Sequence, residues 1–576
     1  MSHDTTNATA SSVGPGPIPK DYLAGLKENI KFDAMSGFIL FLIALPLSLA
    51  IALASGVPAI AGVLTAMVGG IVGALLGGSY VTINGAAAGL IVIVLGAVAE
   101  LGGGDPILGY KLALAVGVVM GVIQIILGLV KAGSMTNLFP FSVVEGMIAG
   151  IGIIIMSKQI HVVLGVKAGG SMLAVIAAIP SSFINMAPQS AIIGATAIAI
   201  MILWPKFFQK IAKFVPAPMV IMMVTIPMAM AFKLDPKLLV NVPLKFADSF
   251  VFPDFSQITS ATSIKFIITF VFVGTLESLL TAAAMEKKDP WKRRNNMNRE
   301  LWSKGVSNAL SSLIGGIPMI AEVVRSSTNI MVGARTRWSN FFHGFFMLIF
   351  VALLPWLLNM IPLAALAGML CVIGFRLAHP SIWAHIAHTG KDELVFMAAT
   401  TIGVVLIDLL VGVLLGMWLS IAMNAIRAGK QNRLKSVPLF LIVHAALFGI
   451  GIYFEMHHNA LMAMLFMLLP VAWGIVGFKT NIGVKESGDT VTVALGGPVV
   501  YTSMIGIRNM LDKLPGGKKV VIDFSDAGVI DHTVREKLSD FAEEYARDTG
   551  GTVTEIGMEN HHATCHHELA SLVPAK

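Results

Sequence analysis

Glu322, Arg325, Ser326 and Ser327 fall within two helical turns of one another in the stretch IPMIAEVVRSSTNI, Ile317 to Ile330, and the chain around them is apolar. A guanidinium beside hydroxyls binds oxyanions through charge-assisted hydrogen bonds. In a bilayer core an arginine costs at least about 3 kcal/mol, so Arg325 needs a partner. Two readings stand: a salt bridge to Glu322 one turn away, or a counter-charge for an anionic substrate. A second carboxylate, Glu277 in FVGTLESLLTAAAMEKK, has Thr281 four residues on and so on the same helix face. A carboxylate and a hydroxyl together hold Na⁺ or relay a proton. Glu100 reads as interfacial, and Glu145 and Asp408 as structural. No nucleotide-binding loop and no Ser/His/Asp spacing is present, so neither an enzyme nor a nucleic-acid binder is expected.

Such groups need a membrane-spanning scaffold. Of 576 residues 56% are hydrophobic and only 13% charged, against roughly a quarter charged in soluble domains. Apolar runs of the roughly 20 residues that cross hydrocarbon recur from Ala34 to Gly477 and then stop. The first 33 residues are polar, with no cleavable signal peptide. The excess of 40 Lys and Arg over 33 Asp and Glu gives +7, and its placement matters more than its sum, because basic loops stay in the cytoplasm. The longest, KKDPWKRRNNMNREL at 287–301, is placed inside, as are 204–214, 333–338, 376–391, 426–435 and the N-terminus. This count gives 14 spans if 392–426 crosses twice, in two short helices meeting near Asp408; one long tilted helix is the competing reading. Two further apolar runs, 437–454 and 460–478, read as an appended hairpin. Cys371 and Cys565 imply no disulfide framework.

The positioning elements come from an internal repeat. GALLGGSYVTINGAAAG (73–89) resembles SSLIGGIPMIAEVVRSS (311–327), and PFSVVEGM (140–147) resembles PLAALAGM (362–369). Both pairs fit one duplication of about seven spans, and an odd number inverts the second half relative to the first, as in many secondary transporters. Each half then reads as a hairpin, an extended segment after Gly77-Gly78 or Gly315-Gly316, and a half-helix. Helix N-termini offer unpaired N–H groups and a positive dipole end, so the two together form a pocket for a small anion. Its lining is Gly85, Ala86, Ala87 and Ala88 from one half, with Val324, Arg325, Ser326 and Ser327 from the other. Close packing through small residues is the plainer reading of the glycines and alanines.

After about Lys485 the pattern turns soluble: TVTVALGGPVVY, KKVVIDFSDAGVID and TVTEIGM read as strands, with helices between them, in an α/β domain of about 90 residues. Its ENHHATCHHELASLV end offers His561, His562, Cys565, His566 and His567, whose spacing matches no closed zinc site. No metal is expected there.

Together these motifs resemble the sulfate permease (SulP/SLC26) family of inorganic anion transporters. NIKFDAMSGFILFLIALPLSLAIALASG is similar to that family's opening motif at Asp33, Gly37, Pro46 and Gly56, and VVIDFSDAGVIDHT to the loop of its C-terminal STAS domain. The resemblance implies an α-helical polytopic membrane protein with a 7+7 inverted-repeat transmembrane domain followed by a small α/β STAS domain. On this reading residues 1–33 are a cytoplasmic segment and 34–427 the transport domain, with repeats at about 34–232 and 263–427. The extra hairpin spans 436–479 and the cytoplasmic STAS domain 485–576. The resemblance further implies an elevator motion, a homodimer in the bacterial inner membrane, an anion between Gly85–Ala88 and Val324–Ser326, and Na⁺ or H⁺ coupling at Glu277 and Thr281. Three departures stand out. The family's Gly-Pro is Gly85-Ala86 here, the regulatory Ser-Ser of related STAS domains is His532-Thr533, which leaves Thr533 as the phosphorylation candidate, and the hairpin has no family counterpart.

The function expected is therefore secondary transport of sulfate or bicarbonate. An uncoupled exchanger or channel for chloride or bicarbonate is one alternative. A membrane sensor that signals through its STAS domain to a cytoplasmic partner is another.

Overall fold

The computed structural model describes residues 16–134, 139–167, 169–212, 214–429, 437–456 and 460–575. Residues 1–15, most of the basic loop at 426–435, and 457–459 of the appended hairpin's turn lie outside this set. Among the described residues, eight helices are long and apolar enough to cross a bilayer, beginning with Tyr22–Ala54, and four shorter apolar helices accompany them.

The duplicated sequence pairs occupy equivalent places. The helix Ala59–Leu76 stops at Gly77-Gly78, and the helix Met297–Leu313 stops just before Gly315-Gly316, where Gly315 takes a φ of +100°. An L side chain is strained in that region, so glycine marks this exit from the helix. Pro140 and Pro362 each stand immediately before a helix, Phe141–Val163 and Leu363–Leu377. Proline fits there because its missing N–H falls where a helix leaves its donors unpaired.

The region around Asp408 is two helices, Lys391–Leu406 and Leu409–Gly429. They fold back on each other so closely that a Cβ on Gly403 would lie 2.6 Å from the Gly412 Cα. The first helix is tied across to the second half: the buried Asp33 carboxylate accepts from the Arg335 and Thr336 N–H groups at 2.8 and 3.0 Å and from the Thr336 hydroxyl at 2.5 Å. Gly37 lets that helix approach Phe342, whose Cβ would sit 2.6 Å from any added Cβ.

The hairpin is Val437–Met456 and Ala460–Gly477. It packs on the Leu409–Gly429 helix through Trp418 and Phe448, with ring centroids 5.8 Å apart, and reaches Lys265 through Glu455 at 2.8 Å. Glu100 and Asp408 complete the ring around the same ammonium at 3.4 and 3.5 Å, so one lysine joins four elements. Lys265→Met leaves three carboxylates without their cation. Breaking a buried pair costs about 3–5 kcal/mol, and partial exposure of Glu100 and Asp408 reduces this to about 1–3 kcal/mol. The expected result is a melting temperature lower by several degrees in detergent, with Lys265→Arg close to wild type.

The C-terminal unit is a sheet of seven strands. Thr490–Val499, Lys519–Asp523 and Thr552–Ile556 form its parallel part, and Asn481–Ser487 runs antiparallel to Thr490–Val499. The helices Met504–Leu511 and His532–Thr549 cover a core that includes Val493, Leu495, Phe524, Leu538 and Phe541. Its long helix lies against the membrane bundle. Asp540 pairs with Lys287 at 2.5 Å, and Asp548 with Arg294 at 2.9 Å, so the longest basic loop finds its acidic partner here. At the other end of the helix the Thr533 hydroxyl accepts from the Phe141 N–H at 3.4 Å, and Thr533 is buried.

The five His and Cys candidates are dispersed rather than gathered. The His561 ring bonds to the Gly557 and Ala527 carbonyls, Cys565 donates to the Thr389 carbonyl at 2.9 Å, and His567 lies edge-on to His385 and His532.

Asp531 caps the long helix by accepting from the Val534 N–H at 2.8 Å, and also takes the Tyr501 N–H at 2.6 Å. Burial pushes its carboxyl up to about 7, against the pull of those two donors, and the nearby Glu393 carboxylate adds to the rise. A raised acid gives stability that is full below its ordinary value and lost as pH rises through about 7. The melting temperature of the unit is therefore expected to fall between about pH 5 and pH 8. Asp531→Asn keeps one acceptor and turns its amide NH₂ toward the other N–H, so it should melt lower throughout but with that slope flattened, as followed by scanning fluorimetry across the interval.

Candidate functional site

The two extended segments meet as a short antiparallel ladder, Asn84–Gly85 on Ile320–Ala321, with Asn84 opposite Ala321 and Gly85 opposite Ile320. Each strand feeds a helix: a 3₁₀ turn Ala88–Leu90 and then Ile91–Gly102 in the first half, and Val323–Met331 in the second. The first half-helix therefore begins later than the small-residue run suggests. Gly85 belongs to the ladder and Ala87 is extended at φ −122° and ψ 145°. Gly85 is held extended by its pairing with Ile320, and its missing Cβ, which would stand 2.9 Å from the Arg325 Nη1, leaves room for the guanidinium.

Arg325 is 1% exposed. Its Nε lies 2.9 Å from the Glu322 Oε2, and its Nη2 donates to the Ala86 carbonyl at 3.3 Å. Among the described residues neither the Nε, despite that distance, nor the Nη1 has a hydrogen-bond partner, and neither has the Glu322 Oε1. The ion pair is thus a charge contact rather than a hydrogen bond, and buried donors are seldom left unpaired.

The Ser326 hydroxyl accepts from the Ile83 N–H at 2.9 Å and so braces the two halves. Ser327 accepts from the Lys288 ammonium at 3.0 Å. The Val324 side chain is 65% exposed, and its backbone N–H lies in the first turn of the half-helix.

Glu277 and Thr281 lie on the helix Ala261–Lys288, with Thr281 buried and Glu277 half-buried. The Glu277 carboxylate abuts Gly89, in the turn that starts the first half-helix, and occupies the space a Cβ there would fill. The second carboxylate therefore sits at the edge of the same site.

Sequence reasoning missed several groups that hold this site. Glu300, assigned to the basic loop at 287–301, instead lies inside the helix Met297–Leu313, because Asn296 caps that helix by accepting from the Arg299 N–H. Lys304 lies one turn further on, and both are buried. Asn84, Asn329 and Asn340 also bridge the halves: Asn340 accepts from the Asn84 N–H at 3.3 Å, and Asn329 donates to the Val81 carbonyl at 2.9 Å. The available signal was a Glu and a Lys four residues apart ahead of a small-residue run.

The model of the Sulfate permease family matches residues 30–400. The chain belongs to the sulfate permease family. Among curated relatives, the bicarbonate transporter BicA of Picosynechococcus sp. is 27% identical over 71% of this chain and 72% of its own length. The putative sulfate transporter YvdB of Bacillus subtilis is 26% identical over 71% of this chain and 76% of its own. The solved transmembrane domain of a cyanobacterium bicarbonate transporter BicA superposes with a TM-score of 0.60 at 24% identity, covering 67% of this chain and 97% of that one. SLC26A9 superposes with a TM-score of 0.63 at 14% identity over 94% of this chain and 86% of its own. These structural likenesses establish a shared fold. The C-terminal α/β unit is consistent with the STAS domain of the family.

Proposed function

We propose that the protein is a secondary transporter of a small inorganic oxyanion, sulfate or bicarbonate, and not an enzyme. The anion lies between the start of the first half-helix, at Gly85 to Ala88, and Val324 to Ser326 of the second. The Arg325 Nη1 is the observation that carries this reading: an unpaired donor on a buried cation, set between two helix N-termini, is poised for an anion. The relatives named as bicarbonate and sulfate transporters support the same substrate class.

Na⁺ or a proton is the coupling ion, at Glu277 with Thr281 beside it. An anion drawn to Arg325 needs a compensating cation if it is to move against an inside-negative potential, and Glu277 is the carboxylate placed against the half-helix. The half-helices move as a body against the rest of the bundle, in an elevator cycle, within a homodimer of the bacterial inner membrane. The N-terminus and the C-terminal unit are cytoplasmic, a placement supported by the basic loop that meets this unit. Thr533, at the contact between the unit and the bundle, is the candidate for regulatory phosphorylation by a cytoplasmic partner.

The test is a flux panel in proteoliposomes with labelled sulfate, bicarbonate and chloride, with and without Na⁺ and pH gradients. Oxyanion uptake driven by a Na⁺ or pH gradient is expected. Gradient-indifferent counterflow would make the protein an exchanger, and binding without flux would make it a sensor.

A further inference from the structure

Lys304 and Glu300 are 0% and 1% exposed, four residues apart on one helix, with Nζ and Oε1 separated by 2.6 Å. A buried ion pair is often no more stabilising than an apolar pair of equal volume, because desolvation consumes the Coulomb attraction. Fold stability alone therefore does not explain why both charges are here.

Their remaining bonds do. The Lys304 ammonium also donates to the Asn84 side-chain carbonyl. The other Glu300 oxygen accepts from the Gly78 and Ser79 N–H groups at 2.8 and 3.1 Å. The pair thus grips both ends of the extended segment 78–84 that leads into the first half-helix. Asn84 is held from the opposite side as well, because its own N–H donates to Asn340, which in turn donates to the Gly69 carbonyl at 3.1 Å. The next two residues are Gly85, whose missing Cβ leaves room for the Arg325 Nη1, and Ala86, whose carbonyl accepts from the Arg325 Nη2.

We propose that Lys304 and Glu300 are positioning residues for the anion site: they fix Asn84, and Asn84 fixes the backbone that faces Arg325. Each cancels the charge of the other, so the pair sets geometry without adding net charge to the pocket. This rests on the anion site described above and extends it to two residues that touch no anion.

Two variants test it. Asn84→Ala cuts the link while the ion pair remains, and Glu300→Gln/Lys304→Met removes both charges, so that neither is stranded as it would be in a single variant. Uptake of labelled sulfate and bicarbonate is measured over a range of concentrations, together with melting temperature in detergent. Both variants are expected to raise KM about tenfold, with maximal rate within threefold and the melting temperature within a few degrees of wild type. Wild-type KM in both variants, or a loss of maximal rate that tracks a lowered melting temperature, would overturn the proposal. Arg325→Ala is run alongside: if it has lost uptake while these variants keep wild-type KM, the positioning role alone fails, whereas full uptake by Arg325→Ala removes the site itself.

Discussion

Arg325→Ala should abolish transport, with uptake of sulfate or bicarbonate at least about 100-fold below wild type. The magnitude follows from the surroundings. The guanidinium is buried, shares one face with Glu322, gives one hydrogen bond to Ala86, and keeps Nη1 without a partner. Removing one partner from a desolvated, charge-assisted contact costs about 3–5 kcal/mol, which is two to three orders of magnitude in affinity. The single variant also strands the Glu322 carboxylate, so a folding defect has to be separated from a binding defect. Glu322→Gln/Arg325→Met serves this purpose: no lone buried charge remains, the chain should melt near the wild-type temperature, and uptake should still be absent. Arg325→Lys should recover little, because an ammonium does not reproduce the fork by which guanidinium holds an oxyanion.

Gly89→Ala should uncouple the site while leaving the fold intact. The Cβ it introduces meets both oxygens of the Glu277 carboxylate, the far end of a flexible side chain, so the carboxylate yields before the backbone does. A displacement near 1 Å at a reacting or binding centre can cost roughly 100-fold, and a tenfold to hundredfold loss of gradient-driven uptake is expected. Glu277→Gln should give the same loss without steric change. If Gly89→Ala and Glu277→Gln both retain full dependence on the cation gradient, Glu277 is not the coupling group. Melting in detergent should stay within a few degrees of wild type for both.

The architecture was legible where a repeated chemical need writes a repeated word. Gly77-Gly78 and Gly315-Gly316 each stand where a helix has to stop, and Pro140 and Pro362 each stand where one starts, so the duplication and the half-helices could be read without coordinates. Arg325 was legible for a different reason, since a cation in an apolar stretch is too costly to be incidental. The rest depended on partners far apart in the chain. The Ser326 hydroxyl is visible in the sequence, whereas the Ile83 N–H that it accepts from, 243 residues away, is not. Glu300 and Lys304 were hidden by their neighbourhood: they follow a run of loop cations, and only the Asn296 cap shows that the helix has already begun. The appended hairpin was recognisable as two apolar runs, but its tie through Glu455 to Lys265 needed both positions in space.

Anion binding at Arg325 underlies both the site and the function. Equilibrium binding of labelled sulfate and bicarbonate to the purified protein, wild type against the folded Glu322→Gln/Arg325→Met variant, measures this without dependence on coupling or on the transport cycle. Saturable binding by wild type that is lost in the variant is the expected result. Equal binding by the two proteins would contradict the site and, with it, the functional reading.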